Sequence, residues 1–541
     1  MEGVVDTIIV GAGSAGCVLA ARLGEDASRR ILVLEAGGPD KNWLLHLPIG
    51  FGKVWRAERF NWSYQSEPEP HLDGRRIFHP RGRVVGGSSS INVMAYVRCH
   101  PNDYDRWPQL GMPGWSFADV LPYFKRAESF ADGGDEFHGG DGPLQTRRNR
   151  VQDPVFDAFM AAGAALGYSA NDDYNGAEQE GFGRLQHTIG NGRRSSAARA
   201  YLHPALRRGN IRLEVEAQVT RVVFEGGRAV GVEYVQRGTR HMVRADREII
   251  LAGGAINSPQ LLMLSGIGPG DRLREHGIDV RVDLPGVGDN LWDHPLIYTE
   301  YEGTVQSDFH RQLRLDRIAL SLVQAALFGT GFATRLPSTG TAFVRSTPDL
   351  EIPDLQFYCR NGVLASREWF PFIQRPGPDG FALLFCHLRP QSRGSVTLAS
   401  ADPLARARII NNFLATDYDV RAMREGMRMA QAMAATPGFA KLIRANLTPK
   451  VTLRSDDEID AFVRQAMTTI YHPAGTCKIG VDRMSVVDPE FRVRGVEGLR
   501  VIDASVLPEP IGGNLNAPVL MLAEKASDIL RGRAPLPPAD L

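Results

Sequence analysis

The chain has 541 residues, 43% hydrophobic and 23% charged, which is ordinary globular usage with enough length for two or more lobes. Lys plus Arg and Asp plus Glu both number 62, so no bulk charge draws the chain to nucleic acid or an anionic membrane, and a small molecule is the expected partner. The five cysteines, Cys17, Cys99, Cys359, Cys386 and Cys477, are scattered without a C-x-x-C pair, and no His-x-x-x-His spacing occurs. Reduced thiols in a cytoplasmic protein are therefore expected, and no metal site.

In chain order, an apolar strand at Val4–Val10 leads into a glycine turn, Val10–Gly16, and an apolar helix with Val18, Leu19 and Leu23. No basic, apolar leader precedes it, so export is not expected. Gly11 suits the tight turn, Gly13 lets backbone approach a pyrophosphate, and Gly16 allows close packing of helix on strand, with the helix N-terminus toward the phosphates. A second strand, Ile31–Leu34, ends at Glu35, 24 residues beyond Gly11, where a carboxylate can bind ribose hydroxyls. FAD and NAD share this fingerprint, so it does not choose between them. A second glycine-rich block, Gly82–Asn92, offers backbone and hydroxyl donors on a loop, which suits an extended polar ligand.

Two further strand-then-helix stretches, Arg247–Leu264 and Leu499–Leu530, resemble the first in character. Together they predict an α/β fold with a doubly wound, Rossmann-like nucleotide domain that is discontinuous in sequence, residues 1–155, 195–295 and 462–541. Residues 156–194 and 296–461, with strand-like segments at Asp354–Tyr358 and Ser395–Leu398, are expected to form a second, α+β substrate-binding domain with an antiparallel sheet. Within it, Ile318–Phe328 fits a buried core helix, the preferred reading, or an amphipathic helix lying on a membrane surface. No apolar run approaches the ~20 residues of a spanning helix.

The glycine turn, the Gly82–Asn92 block, the run from Gly254 to Gly268, and the C-terminal His472-Pro-Ala-Gly-Thr with Asn514-Leu-Asn-Ala-Pro together resemble the glucose–methanol–choline oxidoreductase family, from Thr7 to about Arg531. Ser265-Gly-Ile-Gly-Pro and Tyr471-His-Pro-Ala-Gly-Thr-Cys-Lys resemble its bacterial alcohol and choline dehydrogenases more than its fungal oxidases. The resemblance implies FAD held by Gly11, Gly13, Ser14, Glu35, Ala36, Arg83, Gly86, Asn92, Val93, Ala95, Val219, Asp503, Ala504 and Pro518, with His472 and Asn516 as the catalytic pair. Members that attach FAD covalently can carry a histidine where this chain has Ile91, so non-covalent FAD is expected. Cys99 stands where glycine is usual.

Alcohol oxidation needs a base for the hydroxyl proton, support for alkoxide character and a hydride acceptor. An imidazole, with an unperturbed pKa of about 6.5, suits the first and a neighbouring amide the second; the flavin supplies the third. Pro473 restricts the backbone of His472. His294, also followed by proline, is read as structural. Asn514 competes with Asn516 for the amide role, and Asn516 is preferred because it directly precedes a helix start. The expected function is therefore FAD-dependent oxidation of an alcohol, a primary one, with electrons passing to a quinone or another carrier. The alternatives are an oxidase using dioxygen and a lyase or decarboxylase of the same fold.

Overall fold

The three strand-then-helix stretches lie side by side in the computed structural model, which describes residues 4–541. Val5–Val10 pairs in parallel with Ile31–Leu34 on one side and with the end of Thr239–Leu251 on the other, and Leu499–Val501 adds beyond that. Each of these runs is apolar on both faces, because the sheet is covered on both sides. Ile8, Ile9, Leu32, Val33, Ile249 and Ile250 are almost wholly buried. The register is level at the carboxyl ends: Val10 faces Leu34 and Leu251, and Leu251 faces Val501. The chain therefore leaves the sheet at one edge, bringing Gly11, Glu35, Ala252 and Asp503 together where α/β sheets take ligands.

The same sheet carries a feature the periodicity did not reveal. Ala217–Glu225, Arg228–Gln236 and the first part of Thr239–Leu251 form an antiparallel meander, so one long strand serves a parallel and an antiparallel neighbour at different points along its length.

A second sheet is antiparallel throughout, in the order Ile443–Thr448, Pro295–Gly303, Gly380–His387, Leu355–Asn361, Ser338–Val344, Gly181–Arg184. Thr468–Thr469 also pairs with it, although it lies beyond residue 461. Side chains alternate between its faces. Phe357, Cys359, Leu383, Phe385 and Ile297 pack on Met423 and Met427 of the helix Asp417–Ala435, whereas Leu296, Tyr298, Tyr358, Arg360 and Leu384 face a cavity between the two sheets.

The helix Leu315–Phe328 differs from the preferred sequence reading. It is no core helix: only Ser321 and Ala325 are buried, while Leu320, Val323, Leu327 and Phe328 are 56–73% exposed. The sequence pattern could not separate these cases, because the helix has apolar side chains around most of its circumference and burial depends on what packs beside it. All five cysteines are buried and free.

Candidate active site

The glycine turn is packed as tightly as its residues allow. Gly11 has φ +104°, a Cβ on it would lie 2.5 Å from the Ala252 carbonyl oxygen, and one on Gly16 would lie 1.9 Å from that of Gly11. Across the turn a Cβ on Gly87 would meet Gly13 Cα at 2.7 Å. No side chain can enter here, so backbone N–H groups and the N-terminus of the helix Ser14–Leu23 open onto a cavity of ≈ 470 Å³. The N-terminus of the last helix, Asn516–Leu530, reaches the same cavity. Two helix N-termini on one cleft favour a ligand with negative charge.

Of the residues expected to hold a cofactor, Gly11, Gly13, Ser14, Glu35, Ala36, Asn92, Val93, Ala95, Val219, Asp503 and Ala504 line the cavity. Arg83, Gly86 and Pro518 stand behind it. The Arg83 guanidinium lies 4.7 Å from the Trp62 ring, Gly86 donates its N–H to Ala12 at 2.7 Å, and Pro518 is buried in the first turn of the last helix. Glu35 is buried and accepts from the N–H groups of Ala12 at 2.9 Å and Gly37 at 2.8 Å. Burial pushes its pKa up to about 7 despite those bonds, and each oxygen keeps acceptor capacity toward the cavity. Asp503 accepts from Gly254 N–H and Ser258 Oγ on one oxygen and from Ser505 N–H on the other. The donor-rich glycine cradle, the carboxylates at strand ends and the paired helix N-termini fit a flavin dinucleotide.

At the other end of the cavity lies His472. Tyr471 before it adopts φ +71°, an uncommon conformation for a non-glycine residue, and its carbonyl accepts from Arg81 at 2.6 Å. One carboxylate fixes the histidine from behind: Asp293 accepts from the backbone N–H groups of His472 at 2.8 Å and His294 at 2.7 Å, and from Thr469 Oγ1 at 2.6 Å. Burial raises Asp293 to about 6.

The rings of His294 and His472 meet Nδ1 to Nδ1 at 3.0 Å. His294, read from sequence as structural, is thus a direct partner of His472. Asn514 and Asn516 separate by where they point. The amide nitrogen of Asn514 is 3.1 Å from His472 Nε2, and its carbonyl oxygen accepts from the Tyr358 hydroxyl at 2.9 Å. Asn516, the first residue of the last helix, instead accepts from Ser14 Oγ at 2.8 Å. The preferred pairing of His472 with Asn516 is therefore not the one the structure assembles. Asn516 is on the helix, as its proximity to a helix start implied, and Asn514 lies two residues ahead of it, after a Gly512-Gly513 bend packed too closely against Arg389 and Val97 for side chains. Tyr358 was missed altogether, although its alternation with Phe357 on a strand was readable.

These contacts define one consistent set of protons. With Tyr358 donating to Asn514 Oδ1, the Asn514 amide donates to His472 Nε2, which must then be unprotonated; His472 Nδ1–H in turn donates to His294 Nδ1. Burial, reinforced by the neighbouring His294 and Arg81, holds the His472 pKa well below its ordinary value, and burial pushes His294 down to about 3. When an alcohol oxygen takes over the Asn514 amide hydrogen bond, the Nε2 lone pair of this neutral base is released to take the hydroxyl proton while the amide steadies the oxygen left behind.

This fold and site define a flavin-dependent oxidoreductase, and the chain belongs to the GMC oxidoreductase family, whose N-terminal model matches residues 5–296 and whose C-terminal model matches residues 390–523. It uses FAD and acts on CH–OH donors. An oxygen-dependent choline dehydrogenase of Brucella ovis is 45% identical, over 98% of this chain and 96% of that protein. The mitochondrial choline dehydrogenase of Homo sapiens is 44% identical, over 98% and 90%. Among solved structures, pyridoxine 4-oxidase from Mesorbium loti aligns with a TM-score of 0.86 at 31% identity, covering 98% of this chain and 100% of that one. The formate oxidase of Aspergillus oryzae aligns with a TM-score of 0.90 at 27% identity, covering 98% and 99%.

Proposed function

We propose that this chain oxidises a primary alcohol to the aldehyde, with His472 taking the hydroxyl proton and Asn514 donating a hydrogen bond to the oxygen as it gains alkoxide character. FAD, held by the eleven residues that line the cradle, supplies the hydride acceptor, and a quinone, another carrier or dioxygen receives the electrons. The observation that carries the reading is the Asn514 amide 3.1 Å from His472 Nε2 at the inner end of the cavity. Asp293 and His294 position the base, and Tyr358 orients the amide.

Anaerobic stopped-flow reduction of the bound flavin by an alcohol tests the assignment. His472→Ala is expected to lose on the order of 10²–10⁴-fold and Asn514→Ala about 10²-fold, with the two effects non-additive because both raise one barrier. Asn516→Ala should slow reduction far less. The reverse order of the two asparagine variants would return the role to Asn516.

We further read the cofactor as non-covalent, because Ile91 lines the cavity with an aliphatic side chain and offers no nucleophile to the flavin. Acid precipitation should leave the yellow colour in the supernatant; a yellow pellet would contradict this.

The exposed side of Leu315–Phe328 supports a second reading, that this end of the molecule rests on an anionic bilayer surface. The loop hydrogen-bonded to that helix through Trp369 adds the exposed Phe372 and Ile373, and the same loop carries exposed Arg367 and Arg375. No helix among the described residues is long and apolar enough to cross a membrane, so the contact would be peripheral.

A further inference from the structure

We infer that the alcohol taken by this site carries an anionic group, a carboxylate in the simplest case, bound by Arg360 and joined to the carbinol by an apolar spacer. This rests on the reading of His472 and Asn514 as the reacting end.

Arg360 occupies the same face of the strand Leu355–Asn361 as Tyr358, two residues on, and both line the cavity. Tyr358 touches Asn514, so the base of the Arg360 side chain stands roughly 7 Å farther along the strand from the reacting end. Its Nε is enclosed and has no hydrogen-bond partner, and no carboxylate among the described residues forms an ion pair with it. Several other enclosed arginines are answered by a carboxylate, Arg98 by Glu128, Arg389 by Asp103, Arg22 and Arg126 by Glu524, and Arg194, which has none, spends its donors on the carbonyls of Leu45, Ser89 and Asn92. An arginine that faces a cavity without such a partner is a built recognition point for a planar anion, which it can bind through two parallel N–H donors.

The remaining charges in the cavity agree. Arg56 lines the mouth, its guanidinium 4.5 Å from the Trp55 ring, and Arg81 lines the wall beside Tyr471. Among the described residues the only carboxylates lining the cavity are Glu35 and Asp503, both at the strand ends of the glycine cradle and bonded to backbone N–H groups there. Asp293 is turned away from the cavity onto two backbone N–H groups and Thr469. Glu300 shares the sheet face but accepts from Leu364 N–H and is not in the lining. A quaternary ammonium alcohol such as choline, the substrate named for the relatives above, would therefore meet like charge with no carboxylate to answer it. Around Tyr358 the wall is apolar: Leu384 stands level with it on the neighbouring strand, and Leu296 and Ile470 belong to the same cluster, which suits an aliphatic or aromatic body next to the carbinol. In the reaction R–CH₂OH becomes R–CHO, the hydroxyl proton passing to His472 and the hydride to bound FAD.

The test uses the FAD-loaded enzyme under anaerobic conditions with three alcohols: 4-(hydroxymethyl)benzoate, its neutral isostere 4-methylbenzyl alcohol, and choline. The carboxylate alcohol is expected to reduce the flavin about 100-fold more efficiently than the isostere, with choline poorest. Arg360→Gln should collapse that ratio mainly through KM, and Arg360→Lys should restore part of it. Terephthalate, which cannot be oxidised, should perturb the flavin spectrum of the parent and bind at least tenfold more weakly to Arg360→Gln, a readout independent of turnover. Equal efficiency for the carboxylate and its isostere, or choline as the best substrate with Arg360→Gln indifferent, overturns the inference while leaving alcohol oxidation intact. Reduction that is insensitive to His472→Ala overturns the site reading on which the inference rests.

Discussion

The role proposed for His472 depends on where its protons cannot go. Its Nδ1–H is committed to His294, its Nε2 lone pair is presented beside the Asn514 amide, and burial keeps the ring from charging. From sequence alone an ordinary imidazole predicts a rate that rises with pH near its unperturbed pKa of about 6.5; the structure moves that ionisation down. Flavin reduction should therefore be level with pH from about 6.5 upward and should fall only on acidification, as the base is lost. A stopped-flow pH series reads this directly, and a single rise centred between pH 6.5 and 8 would show that the imidazole is not held neutral as described. The residue types at this site were legible in the sequence, because His-Pro and the paired asparagines stand out from their surroundings. Which asparagine faces the ring was not, since that depends on partners from other segments, Tyr358 and His472 for Asn514 and Ser14 for Asn516. Cys99 shows the reverse case: its φ of +72° gives a physical reason for the glycine usual at that position, the left-handed region being costly for a side chain.

At the scale of elements, strands were read more readily than their company. The parallel strands announced themselves by apolar runs ending in small residues, and their level register follows from each strand stopping at the point where the chain must turn. The meander Ala217–Leu251 carries hairpin punctuation in the two-residue turns Gly226-Gly227 and Arg237-Gly238, and what only the fold shows is that its last strand also pairs in parallel with Val5–Val10. The helix Leu315–Phe328 is the sharper example, because its uncovered apolar side has a consequence that can be measured. Vesicles containing anionic phosphatidylglycerol should co-sediment the protein, and the double variant Val323→Glu, Leu327→Glu should weaken that binding tenfold or more, since it removes buried apolar area and adds repulsion. Both side chains are exposed, so folding is not at stake. Equal binding of parent and variant would show that the patch does not touch lipid.

Over the whole molecule the buried titratable groups set an acid limit. Burial holds His79, His187 and His294 at about 3 and His472 well below its ordinary value. Unfolded, these four histidines take protons below about 6.5, so stability that depends on their neutrality is complete above that pH and is lost as pH falls. Glu35 and Asp293 act in the opposite sense. Raised to about 7 and about 6, they stay protonated in the folded state where the unfolded chain releases protons, and their contribution is lost as pH rises through those values. Between pH 5 and 6 the four histidines, protonated when unfolded and neutral when folded, outnumber these two acids, so stability should fall on acidification. A thermal midpoint followed by circular dichroism should drop steeply from pH 6 to 5, and the slope should flatten in His187→Gln, a position outside the cavity lining. A midpoint unchanged over that interval would mean that the histidines are hydrated in the native state.

The sequence by itself determined the cofactor cradle, because tight turns and close backbone approach leave glycine no substitute, and so Gly11, Gly13 and Gly16 could be given roles before any coordinates. It also singled out His472 as the candidate base, since a histidine held by a following proline is a local feature. The tertiary structure alone decided the partners of that histidine and which charged side chains line the cavity. Asn514, Tyr358, His294, Asp293 and Arg360 come from separate segments, and whether such groups meet depends on sheet parity and on the angle between two sheets. An unanswered arginine is visible only after every carboxylate of the chain has been placed, because pairing is a relation in space that spacing along a chain does not encode.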